Sequence, residues 1–219
     1  MSAGNAGNGG NAGLERRHLL IYMAAGWSGF FVMGIELLGG RLLAPFFGNS
    51  IFVWGGVIAV FMACLSVGYL LGGRFSLLQP SLTRLGLLLL GEALLALPII
   101  GMGDVVLEAL SDAVPDPRYG SLLGSLLLFG APTVLSGMIS PYAVRLLVSA
   151  LSSSGMSAGR LYFVSTLGSA TGTLLTSFYL VLYLEIHTIL LCLMAVSALV
   201  GVSLIVLDRL HPADSKVPA

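Results

Sequence analysis

Charge is what this sequence has least of. Lys, Arg, Asp and Glu make up 9% of its 219 residues, against roughly 25% in an ordinary soluble domain. The ten bases and ten acids cancel. A chain without a basic excess has no electrostatic footprint for nucleic acid, and one without an acidic excess has no tail for a basic partner. Cysteine is nearly absent too: Cys64 and Cys192 both lie in apolar runs with no second Cys or His at ligand spacing. No disulfide framework and no metal site follow from them, and both read as small packing residues. No motif that would hold a cofactor is found.

What is present is hydrocarbon. Hydrophobic residues are 57% of the chain and the mean hydropathy is +0.98. Apolar segments fall at about 18–40, 51–73, 82–102, 120–147, 160–184 and 186–207, each long enough for a bilayer core of roughly 30 Å. The expected fold is all-α: a polytopic membrane bundle of about six transmembrane helices over 14–210. A Gly/Asn-rich stretch at 1–13 reads as a disordered tail and 211–219 as a short cytoplasmic tail.

Eight of the ten bases (Arg16, Arg17, Arg74, Arg84, Arg145, Arg160, Arg209, Lys216) collect on one side of this topology, leaving Arg41 and Arg118 on the other. The positive-inside rule then puts both termini in the cytoplasm. The 103–119 loop, with Asp104, Glu108 and Asp112 at i, i+4, i+8, is placed outside, where a short surface helix would align its carboxylates.

The stretch from Gly34 to Arg74 sets charges among apolar residues. An ionised side chain near the bilayer centre costs from about 2.5 to more than 10 kcal/mol, so such groups are paired, hydrated or shallow. Glu36 and Arg41 are five residues apart, and a bend at Gly39-Gly40 would let them meet. Three readings are open: an ion pair that fixes the fold, a ligand site near the outer leaflet, or a proton or cation step. Glu92 is a second buried carboxylate, for which Arg84 or Arg41 would be a partner.

Pro132, Gly137 and Pro141 punctuate the fourth segment and predict a kink or break, since proline removes a backbone hydrogen bond and clashes one turn back. Gly68 with Gly72, and Gly168 with Gly172, are spaced four apart. That spacing allows close helix contact, either inside the bundle or between copies or partners. Gly26-Trp27-Ser28-Gly29 matches a serine-protease-like tetrapeptide, but its only candidate base, His187, belongs at the far end of the last helix.

Four motifs in order resemble the membrane domain of spermidine synthase-like membrane proteins: Glu36-x4-Arg41 with Leu43-Ala44-Pro45-x2-Gly48-Asn49-Ser50 and Trp54; Gly68-Tyr69-x2-Gly72-Gly73-Arg74; Pro132-x4-Gly137-Met138-x2-Pro141-x3-Arg145; and Tyr162-x3-Thr166-Leu167-Gly168-x3-Gly172. In that last motif Ser165 stands where the family usually has asparagine. The resemblance implies a bacterial inner (cytoplasmic) membrane protein with a link to polyamines. It also implies a cytoplasmic aminopropyltransferase-like domain after the helices, but no Gly-rich strand-to-helix turn occurs up to Ala219, so the enzymatic activity is not carried over. The resulting expectation is a non-catalytic membrane module, surrounded by lipid, that anchors a protein partner or self-associates. The alternatives are a binding or transport protein for an organic cation such as a polyamine, and the membrane subunit of a split enzyme.

Overall fold

The computed structural model describes residues 6–78, 80–148 and 154–210. The expected tail at 211–219 and residues 1–5 lie outside them. The described residues are helical throughout apart from short turns: α1 (Ala6–Phe47), α2 (Ile51–Phe75), α3 (Leu82–Ala113), α4 (Pro117–Leu147), α5 (Ser154–Leu175), a π turn (Thr176–Leu180), the single-turn α6 (Val181–Tyr183) and α7 (Ile186–Leu210). Five helices, α1 from Gly13, α2, α3, α4 and α7, are long and apolar enough to cross a membrane.

Two sequence boundaries shift. α1 begins at Ala6, inside the stretch read as a disordered tail, and its 42 residues extend about 63 Å at 1.5 Å per residue. The expected 103–119 loop is mostly helix: α3 continues to Ala113, so Asp104, Glu108 and Asp112 line an exposed face of its last turns. Only Val114 to Asp116 separate α3 from α4. Asp116 caps α4, its side chain accepting from Arg118 N at 2.9 Å, with Pro117 at the first helical position, where its missing N–H costs nothing.

Lipid is as apolar as leucine, so close backbone packing must hold such a bundle together. α2 lies along α4, α5 along α1, and α7 along α3. Each seam is built on glycine. A Cβ on Gly68 would come within 2.3 Å of the Val134 carbonyl oxygen and 2.8 Å of Gly137 Cα, and one on Gly72 within 2.8 Å of Pro141 Cγ. On α5, a Cβ on Gly168 would meet Gly26 O at 2.0 Å, and one on Gly172 would meet Phe30 O at 2.6 Å. Gly86 and Gly201 face each other between α3 and α7. The Gly-rich faces are thus filled by the chain's own helices and are not free to serve as a seam between copies or with a partner.

Of the kink or break expected at Pro132, Gly137 and Pro141, the break is absent. α4 runs unbroken through all three, and Gly137 and Pro141 are the surface that α2 packs against. Proline is tolerated in a span when neighbouring helices and hydroxyls satisfy the backbone around it. The irregular backbone lies instead after α5, at the π turn, which is followed by the helix end at Leu184.

The core between the helices has two halves. Phe31, Ile35, Leu38, Leu43, Phe61 and Phe129 fill one, with the Phe61 and Phe129 rings 5.6 Å apart. Ile21, Leu85, Leu89, Tyr142 and Leu161 are in the other.

Candidate functional site: a sealed carboxyl and an open cleft

Glu92 is fully buried in the middle of α3. Ser136 of α4 donates to its Oε2 at 2.5 Å, and Ser197 of α7 donates to its Oε1 at 2.6 Å. One carboxyl therefore ties three helices together. Neither expected arginine reaches it. Arg84, two turns earlier on α3, lies over the Phe75 ring, 5.7 Å from its centroid, and Arg41 belongs to the opposite end of the bundle. Ser197 is the residue the sequence reading passed over. Its signal is a hydroxyl inside the apolar run of α7, one turn before Gly201, where a buried hydroxyl needs an acceptor on the neighbouring helix.

Glu36 and Arg41 do not form an ion pair. α1 stays helical through Gly39 and Gly40, so five residues leave the two side chains about 140° apart around the axis and about 7.5 Å apart along it. Glu36 is half-buried and Arg41 exposed. The two glycines instead admit neighbouring rings: a Cβ on Gly39 would come within 3.1 Å of Phe129, and one on Gly40 within 2.5 Å of the Trp54 indole.

Trp54 and Arg41 share a recess. α1 ends in a turn at Gly48, whose φ of +81° is open to glycine without steric cost; Gly48 N donates to Ala44 O at 2.9 Å. The next residue, Asn49, accepts from Trp54 Nε1 at 2.7 Å, which fixes the indole over Gly40. Two adjoining clefts, about 380 Å³ and 290 Å³, both include Arg41, Asn49 and Trp54. The smaller also takes in Leu37, Val181 and the π-turn residues Thr176 and Ser177. Thr176 is wholly buried and its Oγ1 has no hydrogen-bond partner. Arg41 likewise forms no ion pair among the described residues.

Hydroxyl back-bonding runs along α5 into the π turn. Ser169, Thr171, Thr173 and Ser177 each donate a hydroxyl to the carbonyl four residues back, the first three at 3.1, 2.8 and 2.9 Å. Such back-bonding competes with the helical ladder and bends helices. π turns also occur often at functional sites.

The opposite end of the bundle is closed by polar contacts. Asp208 of α7 accepts from Thr83 N at 3.0 Å and Thr83 Oγ1 at 2.5 Å, a carboxylate at the N-terminus of α3. Tyr142 Oη accepts from Ser81 N at 2.9 Å.

Ser28 is buried on α1, and His187 is exposed at the start of α7. Among the described residues no three His, Cys, Asp or Glu side chains gather as a metal site. No protein-family model, no curated protein and no solved structure matches this chain.

Proposed function

We propose that the chain is a non-catalytic integral membrane module that assembles with a partner protein through the outer face of α5. One observation carries this reading. α5 is 22 residues long yet falls outside the set of helices apolar enough to span, while its surface is largely open. Tyr162, Phe163, Thr166, Leu167, Ala170 and Thr171 are exposed along it. Aromatic rings beside the hydroxyls of Thr166 and Thr171 make a mixed face that a second protein surface accepts readily.

In this reading α5 with the π turn and α6 completes a sixth span, both termini are cytoplasmic by the distribution of Lys and Arg, and the membrane is a bacterial inner membrane. Kinship with the membrane domain of spermidine synthase-like proteins is part of the proposal. It rests on the four motifs, two of which supply the Gly68–Pro141 seam. A separate catalytic chain would be one such partner. The polyamine reading has less support, because Glu92 is sealed by two serines and Glu36 is the only carboxylate of that pair with any exposure.

Recovery from native membranes in a mild detergent tests the proposal. A stoichiometric second chain is expected, lost in Ala170→Trp while the melting temperature of the module stays within a few degrees. A chain that purifies alone from native membranes and is stabilised by spermidine would sink it.

A further inference from the structure

We infer that the seam between α1, the π turn and α7 is a binding site for a glycerophospholipid, with its phosphodiester at Arg41 and an acyl chain along α1. The site has a polar head and an apolar groove. At the head, the Arg41 guanidinium forms no ion pair among the described residues and its cleft is walled by Asn49 and Trp54. An exposed guanidinium at the mouth of a recess, in no ion pair among the described residues, is complementary to an anion, and planar arginine donors suit phosphate oxygens. Thr176 supplies the independent observation: a fully buried hydroxyl on the wall of the same cleft with no partner of its own. Buried hydroxyls are almost always hydrogen-bonded, and a phosphate oxygen in the cleft would satisfy this one.

The groove follows from how the helices pair. α5 packs on α1, and α7 packs on α3, so the π turn and α7 are not drawn together and α1 forms the floor between them. There a recess of about 160 Å³ is lined by Trp27, Phe30, Leu180, Leu184, Cys192 and Val196, all apolar apart from the indole N–H. The Trp27 and Phe30 rings stack 5.3 Å apart as part of that floor. The head cleft includes Val181 and Ile186, and the groove includes Leu180 and Leu184, so both flank one short stretch of chain. A phosphate at one end and a methylene-lined groove at the other match the two halves of a phospholipid that enters sideways from the bilayer.

The test uses the full chain in mixed micelles of an uncharged maltoside detergent, with thermal unfolding as readout against three additions: phosphatidylglycerol, diacylglycerol with the same chains, and glycerol 3-phosphate. Phosphatidylglycerol is expected to raise the melting temperature and the other two to do little, since each lacks one half of the ligand. Arg41→Gln should weaken the phosphatidylglycerol response about tenfold in half-saturating concentration, as loss of one charged hydrogen-bonding group does. Thr176→Val, which keeps the shape and removes the unpaired hydroxyl, should weaken it less while leaving lipid-free stability equal to or above that of the parent. Cys192→Trp, filling the exposed bank of the groove, should abolish it. An equal response to diacylglycerol, or an unchanged response in Arg41→Gln and Thr176→Val, would overturn the phosphate contact. A full response to glycerol 3-phosphate would overturn the lipid and leave a soluble anion site. Because α5's outer face is not touched by these variants, partner recovery through Ala170 stands or fails separately.

Discussion

Ser197 of α7 donates to Glu92 of α3 across 2.6 Å, and Ser136 of α4 donates to the other oxygen of the same carboxyl. The middle of the bundle is therefore fastened by one acid and two hydroxyls drawn from three helices. Glu92→Gln keeps an acceptor for Ser197 and offers an amide donor toward Ser136, so its melting temperature in detergent should stay within a few degrees of the parent. Glu92→Ala removes both bonds and opens a cavity, at a cost of about 2–4 kcal/mol. Equal destabilisation by the two variants would show that the charge, not the hydrogen-bonding shape, is what the site requires.

The glycine seams give a sharper contrast. Gly168→Ala sets a methyl against Gly26 O, and Gly68→Ala sets one against Val134 O; neither contact can be relieved without moving a helix. Each should cost about 1–3 kcal/mol, the usual range for overpacking. Gly73→Ala, in open space near the end of α2, should be neutral or stabilise by up to about 1 kcal/mol through helix propensity. Unfolding midpoints for the three variants decide the matter, and a Gly73→Ala as damaging as the others would contradict the seam assignment.

Trp54 reports on its own cleft. In a Trp27→Phe background the remaining indole is Trp54, since the chain has two tryptophans. Gly40→Ala places a methyl 2.5 Å from the indole ring and should displace it, shifting its emission and increasing quenching by acrylamide. Asn49→Ala should do the same more weakly by removing the Nε1 acceptor. An emission spectrum unmoved by either substitution would mean that the indole is held by something else.

At the other end, Asp208→Ala removes the acceptor for both Thr83 N and Thr83 Oγ1. Loss of a carboxylate cap at a helix N-terminus costs about 1–2 kcal/mol. Hydrogen exchange should show the first turn of α3 loosened before the rest of the helix, and a uniform change along α3 would contradict the capping role.

Long apolar helices were readable because hydropathy and length alone define them: α2 and α4 start or end within a few residues of the expected segments. Partner choice was not readable. Helical spacing says which residues share a face of one helix, but not which neighbour that face meets. Burial of Glu92 is therefore legible in the sequence, while its pairing with Ser136 and Ser197 is not. Gly39 and Gly40 suggest a bend that would join Glu36 to Arg41, but they make room for Phe129 and Trp54. Pro132 and Pro141 predict a break in α4 that is absent, whereas the π turn follows α5 in a stretch with no proline.

The two serines that hold Glu92 each carry one hydrogen and each have a second acceptor in reach: Pro132 O lies 3.1 Å from Ser136 Oγ, and Leu89 O lies 3.3 Å from Ser197 Oγ. A proton placed on Glu92 Oε2 would donate to Ser136 Oγ while the Ser136 hydrogen turned to Pro132 O, and Ser197 would go on donating to Oε1. The direction of one bond reverses and none is lost. The three helices are thus joined by a connection that a proton can enter or leave without untying it.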